Sequence, residues 1–199
     1  NLWLMVRGQN MPEARIPCSE LFYPNYPSED IRIHQDKAVA ITEGVQAQQW
    51  LSEFLGISCR LMRMLEHGRV HRSSVSDETF KVRGQDGYPV HLLGMATCDD
   101  LNHLASKHTP HENFRANLMI GGTEPGEEDT WVGKRIRIGR AEMRVVKLNQ
   151  RCPIPTVNQQ TGEIAGDPWQ EEPLRTLLTY RQAPEGGVTL GINCVVDVP

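Results

Sequence analysis

Short apolar or alternating segments recur along the chain and predict a fold built mainly from β-strands. Strict alternation places every second side chain on one face of a sheet. The predicted strands lie at 2–6, 31–34, 58–64, 90–93, 117–121, 135–139, 143–148 and 190–198. Gly-rich turns separate the later strands, as in all-β folds.

Three segments have helical spacing instead. In 42–55, Ala47, Trp50 and Phe54 fall on one face, Thr42 is a candidate cap and Gly56 a stop. A second helix is predicted to open at Thr97, and a third at 173–180. Short strands with a few helices predict a mainly β (α+β) fold, a small β-barrel with helical decoration.

Composition narrows the class of protein. A chain of 199 residues suits one large domain or two small ones, and 39% hydrophobic residues is ordinary for a globular protein. No apolar run is long enough to cross a bilayer, and no secretory signal is visible. The net charge of −4 disfavours a nucleic-acid binder. Because the chain starts at Asn1 inside a predicted strand, we expect sequence upstream of it.

Cysteine usage indicates reduced thiols. The cysteines lie at 18, 59, 98, 152 and 194, with long irregular gaps and no C-x-x-C pair. This spacing disfavours a zinc ribbon or a thioredoxin-like centre and fits a cytosolic or similar compartment. A small buried hydrophobe is the ordinary interpretation of each cysteine.

Cys152 has the most distinctive surroundings of the five. It follows the predicted strand 143–148, Arg151 precedes it, and Pro153 and Pro155 follow. Two prolines predict a stiff, extended mount, and a neighbouring guanidinium favours the thiolate. From the residues alone Cys152 is a structural cysteine, a metal ligand or a nucleophile. No histidine is evident as its catalytic partner.

Three polar segments allow two interpretations each. Arg115 and Asn117 share a face of an extended segment, either as donors to a phosphate or heterocycle or as plain surface residues. Residues 127–129 are a solvated acidic turn before a buried Trp131, or an acid pair for general catalysis. The polar stretch 66–86 is a solvated loop, or a lid over an anionic ligand. Gly68 argues against a helix there, so a metal site at the nearby histidines is rejected.

Taken in order, these segments resemble the MOSC family, named for the C-terminal domain of molybdenum-cofactor sulfurases. The family pattern matches over about 90–199, at Phe114-Arg115-x-Asn117, Glu128-Asp129-x-Trp131, Ile138-Gly139, Arg151-Cys152, Thr156, Thr161-Gly162, Pro173-Leu174-x-x-Leu177, Tyr180-Arg181 and Gly191. Ala116 stands where the family more often has Pro, and the family's opening P-x-K-S is not present in the chain.

The first part of the chain resembles the β-barrel that precedes MOSC in amidoxime-reducing and related bacterial proteins. Residues 2–6 through Ala14-Arg15 resemble its first strand and T-A-R-Q segment, and Asp86–Pro89 the stretch leading into the next strand. We therefore predict an N-terminal β-barrel-like region at 1–80, truncated at its start, and a MOSC domain at 81–199.

The resemblance implies a role for each matched site residue. Cys152 would coordinate molybdenum beside the dithiolene of one molybdopterin. Contacts to the pterin or its phosphate would come from Arg115, Asn117 and Arg151, with Arg15 reaching in from the first part of the chain. Asp86 would lie near the metal and take part in catalysis.

The implied enzyme is a molybdenum-dependent reductase of N-hydroxylated substrates such as amidoximes. Its reaction is two-electron oxygen-atom transfer, with the oxygen released as water. Because no ferredoxin-like cysteine cluster follows, the electrons are expected from a separate protein. The predicted location is the cytoplasm, or a mitochondrial membrane if the protein is eukaryotic and anchored.

Two alternatives stay open. The chain is the cofactor-holding end of a sulfurase-like protein without reductase activity, which requires an upstream domain that binds pyridoxal phosphate. No residue of this chain indicates such a domain. Otherwise it is a barrel that no longer binds cofactor.

Overall fold

The structure, a computed structural model, describes residues 3–17 and 28–198, and at 66–68 the backbone alone. The chain divides into two units, Asn1–Ser73 with Asp77–Gly87, and Ser74–Ser76 with Tyr88–Pro199. Cys18 lies outside the described residues. The predicted division at residue 80, and the assignment of the first part to the family's N-terminal barrel, stay predictions.

In its described residues, the first unit contains two antiparallel sheets and one helix. Strands β1 (Trp3–Val6) and β2 (Ala14–Pro17) form a pair. The second sheet has the order β3-β4-β5-β6. Its strands are β3 (Ser28–Ile33), β4 (Asp36–Thr42), β5 (Met62–Arg72) and β6 (Thr79–Val82). Helix α1 (Val45–Leu55) lies between β4 and β5 in the chain.

The predicted first helix is confirmed, but its predicted start is wrong. Gly44 is the N-cap, while Thr42 still belongs to β4 and donates its hydroxyl to Glu29 Oε1 at 3.0 Å. At the other end Gly56 adopts the left-handed conformation that stops a helix. A threonine can cap only where the chain leaves the preceding strand, and here β4 continues through Thr42.

The prediction of a loop at 66–86 is wrong for 66–72 and 79–82, which are strands, while 73–78 and 83–86 belong to neither a strand nor a helix. Strand β5 runs through to Arg72 and pairs with β6. Polar side chains of this segment form hydrogen bonds with other residues of the first unit. His71 Nδ1 lies 2.8 Å from Asp36 Oδ2, and the buried Arg69 donates to the backbone oxygens of Gln85 and Asp86.

The second unit is one five-stranded sheet with two α-helices in the described residues. The sheet has the order β8-β7-β11-β10-β9, in which only the β7–β8 pair is parallel. The strands are β7 (Val90–Gly94), β8 (Leu118–Ile120), β9 (Arg135–Ile138), β10 (Ala141–Gln150) and β11 (Thr189–Val198). The helices are α2 (Met95–Leu104) and α3 (Leu174–Tyr180). The predicted mainly β fold with a few helices is confirmed.

Two buried clusters stabilise this sheet. One contains residues of α2, α3, the sheet and the 3₁₀ turn at 111–114, including Leu93, Leu101, Phe114, Leu177 and Leu190. The other contains Leu92, Met143, Val145, Ile192 and Cys194. Leu190 and Ile192 are two apart yet belong to different clusters. Gly191 between them has φ +77°, a left-handed conformation that changes which face of β11 is presented.

Candidate functional site

Arg115 and Asn117 lie on a short turn that leads into β8. The 3₁₀ turn His111–Phe114 buries Phe114, and Arg115 follows in the left-handed conformation with φ 55°. Asn117 is fixed to β7, because its Oδ1 accepts from the His91 N–H at 2.8 Å and its own N–H donates to the His91 oxygen at 2.9 Å. The prediction of an extended segment with both side chains on one face is therefore wrong, although both side chains are exposed.

Cys152 lies just beyond the end of β10. The preceding residue, Arg151, is anchored because its N–H donates to the Val188 oxygen at 2.8 Å. After Cys152 the chain turns into a 3₁₀ helix at Ile154–Thr156, so the predicted extended mount is wrong. The backbone at the two prolines is still held in place, because Thr156 donates from its hydroxyl and its N–H to the Pro153 oxygen at 2.7 and 2.9 Å. Cys152 is exposed and its thiol is free.

Two side chains tie the Cys152 segment to the Arg115 turn. Asn113 Nδ2 donates to the oxygens of Pro155 and Val157 at 2.9 and 3.3 Å. In the opposite direction, Arg151 Nη2 donates to the Phe114 oxygen at 2.9 Å. The structure therefore brings together four of the predicted site residues, Arg115, Asn117, Arg151 and Cys152, on two joined segments.

Arg151 is a buried cation in this arrangement. Its guanidinium carbon lies 5.7 Å from the centre of the Phe114 ring, a cation–π contact. Burial lowers the pKa of Arg151, and the charges of Cys152 and Cys98 partly oppose that shift. Its Nε is buried and has no hydrogen-bond partner among the described residues. A buried guanidinium N–H without a partner is costly, so this atom is suited to a ligand.

The other two predicted site residues belong to the first unit. Arg15 is exposed in β2, with Nε 3.8 Å from Glu13 Oε1. Asp86 is exposed, with Oδ1 3.2 Å from His34 Nε2. Their roles in the site stay predictions.

The prediction of a solvated acidic turn at 127–129 is wrong for Glu128 and Asp129, which are buried and half-buried, while Glu127 makes an exposed contact to the Glu124 N–H. Glu128 is fully buried and accepts from the Gly94 N–H at 3.0 Å and the Thr97 hydroxyl at 2.8 Å. Asp129 Oδ2 accepts from both terminal nitrogens of Arg181, at 2.9 and 2.6 Å. Burial raises the pKa of Asp129, and Arg181 opposes the shift.

His91 is a buried residue of the site that sequence reasoning missed. The available signal was one polar residue inside the apolar run 90–93. Its imidazole lies against Gly191, where an added Cβ would stand 2.6 Å from His91 Nε2. Burial, together with the charge of Arg151, lowers the pKa of His91 to about 4. The imidazole is therefore neutral at pH 7.

We expect the free energy of unfolding to fall by about 3 kcal/mol as the pH drops from about 6.5 to about 4. The unfolded histidine takes up its proton near pH 6.5, and the folded His91 does so only near pH 4. Protons therefore favour the unfolded state across this window. Urea unfolding at pH 7 and pH 4.2 measures the effect, and His91→Gln is the control. The same loss of stability in His91→Gln would assign the effect to other groups.

The helices in the described part of the chain include none long and apolar enough to span a membrane.

A comparison with protein families matches residues 79–199 to the MOSC domain. The mitochondrial amidoxime-reducing component 1 of Mus musculus is 35% identical over 143 residues, which are 69% of this chain and 40% of that protein. The mitochondrial amidoxime reducing component 2 of Bos taurus is 34% identical over 143 residues, 69% of this chain and 41% of that protein. Component 1 of Xenopus laevis is 28% identical over 190 residues, 90% of this chain and 52% of that protein. The chain thus spans about half the length of these relatives or less.

Proposed function

Because this chain belongs to the MOSC-domain family, we propose that it binds a molybdenum cofactor and reduces N-hydroxylated compounds. The names of the relatives support the reaction, since the mouse and bovine proteins are named amidoxime-reducing components. The same names favour a mitochondrial location over the predicted cytoplasmic one. The one observation of the structure that carries the proposal is the joining of the Cys152 segment to the Arg115 turn.

The residues present fit the cofactor in three respects. The Cys152 thiol is exposed and free to serve as the single protein ligand to the metal. The Arg115 side chain is exposed on the adjoining turn, where its forked donors suit a phosphate. The buried Nε of Arg151, the residue before Cys152, has no hydrogen-bond partner among the described residues.

Each of these residues has a distinct proposed task. Cys152 holds the metal, and Arg115 binds the phosphate of the cofactor. Arg151 has little exposed surface, so its main task is to hold the Phe114 oxygen and thereby join the two segments. The bound cofactor supplies the two-electron oxygen-atom transfer, and the chain's part is to hold and orient it.

Asn117 has a more limited proposed role. Its Oδ1 already accepts from the His91 N–H, so its amide nitrogen is the group proposed to contact the pterin. Arg15 and Asp86 are proposed to act as the family pattern implies. The electron donor is proposed to be a separate protein.

Reduction of benzamidoxime by the natural full-length protein tests the proposal. The protein is purified from a host that makes the cofactor, and reduced methyl viologen serves as the electron source. We expect near-stoichiometric molybdenum and one benzamidine formed per two electrons consumed. Stoichiometric molybdenum without benzamidine formation would favour the carrier alternative. Trace molybdenum only would contradict both.

A further inference from the structure

Arg69 is a fully buried cation in the first unit. It lies in β5, an inner strand of the four-stranded sheet, and pairs with Ala38 on β4 and Val82 on β6, both apolar. Removing a guanidinium from water is costly unless it is paired and hydrogen-bonded. An arginine at this place therefore needs a reason in its polar contacts.

All the side-chain hydrogen bonds of Arg69 within the described residues come from one terminal nitrogen. Its Nη2 donates to the backbone oxygens of Gln85 and Asp86. Its Nε lies 3.3 Å from Asp36 Oδ2 and forms an ion pair, but Nε and Nη1 have no hydrogen-bond partner among the described residues. The guanidinium thus leaves two nitrogens unsatisfied, while the third is committed to the main chain at 85–86.

An irregularity in the sheet precedes Arg69. The pairs Ala40–Met64 and Ala38–Arg69 are two positions apart on β4 but five positions apart on β5. Strand β5 therefore carries extra residues directly before Arg69. Bulges in a sheet commonly re-aim a side chain, and here the side chain that follows the extra residues is the one that reaches 85–86.

The segment 83–87 has few other restraints. It follows β6 and belongs to neither a strand nor a helix, and within the described part of the chain its main-chain groups form no turn hydrogen bond with one another or with other main-chain groups. Two further polar contacts are exposed, one inside the segment at 2.7 Å and one from Asp86 Oδ1 to His34 Nε2 at 3.2 Å. Because water competes with exposed contacts, the bonds from buried Arg69 are the main restraint on this segment.

We propose that Arg69 is a positioning residue that holds the main chain at 85–86 and so sets the direction of the Asp86 side chain. It binds the two carbonyls from the interior, and the Asp86 side chain faces outward with 88% of its surface exposed. That the Asp86 carboxylate takes part in the reduction rests on the proposed function. The restraint on the segment does not.

Nitrogen-15 relaxation of the wild-type amides at 85 and 86 tests the restraint. We expect order parameters of about 0.85, the value of rigid backbone, and values below about 0.6 would overturn the proposal. Because this measurement needs no variant, it can overturn the proposal even where a substitution prevents folding.

Two substitutions assign the restraint to the Arg69 side chain. Arg69→Met keeps the apolar stem and removes the donor, so we expect the order parameters at 85 and 86 to fall below about 0.6. Arg69→Lys is expected to restore them, because both bonds come from one nitrogen and lysine also ends in a single nitrogen donor. Unchanged order parameters in Arg69→Met would overturn the proposal.

Arg72→Met is the matched control. Arg72 lies on the same strand, but its side chain is exposed and donates to Asp77 Oδ1 at 2.6 Å. We expect this variant to leave the order parameters at 85 and 86 at the wild-type value. A fall equal to that of Arg69→Met would show that any loss of charge from β5 loosens the segment, against a specific role of Arg69.

Turnover of benzamidoxime by the natural full-length protein tests the step from Arg69 to Asp86. We expect Arg69→Met to lower the turnover number about 10–100-fold at unchanged molybdenum content, the range for residues that orient a functional group. In an Asp86→Asn background the same substitution is expected to have no further effect, because the two residues act as one unit. An undiminished effect there would overturn the link to Asp86. Wild-type protein without molybdenum would refute the proposed function alone, since the order parameters at 85 and 86 still decide on Arg69.

Discussion

Replacing Cys152 by serine is expected to lower amidoxime reduction by at least about 100-fold and to remove most of the bound molybdenum. Residues that only support a metal ligand typically contribute 10–100-fold to affinity or activity, so loss of the ligand itself should exceed that range. The fold should be unaffected, because Cys152 is exposed and its side chain makes no hydrogen bond within the described residues. The measurements are molybdenum per polypeptide and the turnover number.

Cys59→Ser is the matched control for this substitution. Cys59 is also a free thiol with partial exposure, but it lies in the first unit, where its N–H donates to Ser52 Oγ at 3.1 Å. No role in binding the cofactor is proposed for it. We expect its molybdenum content and turnover to equal those of wild type. Full molybdenum content in Cys152→Ser would show that the metal is held by other atoms and would leave Cys152 as a surface thiol.

The elements of the fold that could be predicted from sequence are those whose apolar pattern is local. In β10 and β11, buried residues such as Val145 and Cys194 recur along the strand. In α3, Leu174 and Leu177 are spaced for one helix face and are both fully buried. These patterns require no knowledge of the rest of the chain, because burial of one face is enough to produce them.

The predictions that failed concern polar residues whose partners are distant in sequence. Thr97 was predicted to cap α2, yet the N-cap is Gly94, and the Thr97 hydroxyl instead donates to Glu128, 31 residues away. A hydroxyl or a carboxylate has no periodic signature, so its partner is decided only by the tertiary structure.

In the candidate site, too, contacts between residues distant in sequence could not be predicted. The order of the motifs placed Arg115, Asn117 and Cys152 in one family pattern, but their local geometry was predicted wrongly. Arg115 is left-handed because it ends a 3₁₀ turn, and this depends on the ties that Asn113 and Arg151 make across 37 to 44 residues. Contacts over such separations leave no trace in the local pattern of the sequence.

Glu128→Ala is expected to lower the free energy of unfolding by about 2–6 kcal/mol, because two buried donors lose their acceptor at about 1–3 kcal/mol each. The fully buried carboxylate accepts from the Gly94 N–H and the Thr97 hydroxyl, and both donors would be left without it. It also lies at the N-terminus of α2, where the helix dipole favours a negative charge. Urea unfolding at pH 7 measures the loss.

Two further variants separate this structural role from an acid–base role for the same carboxylate. Glu127→Ala is the matched control, because its bond to the Glu124 N–H at 3.0 Å is exposed, and it should cost less than about 1 kcal/mol. Glu128→Gln keeps the size and one acceptor oxygen, so it should fall between wild type and Glu128→Ala in stability. Since both oxygens of Glu128 are engaged by the interior, folded Glu128→Gln should retain wild-type turnover. A stable Glu128→Gln protein with turnover reduced 100-fold would instead make Glu128 part of the chemistry.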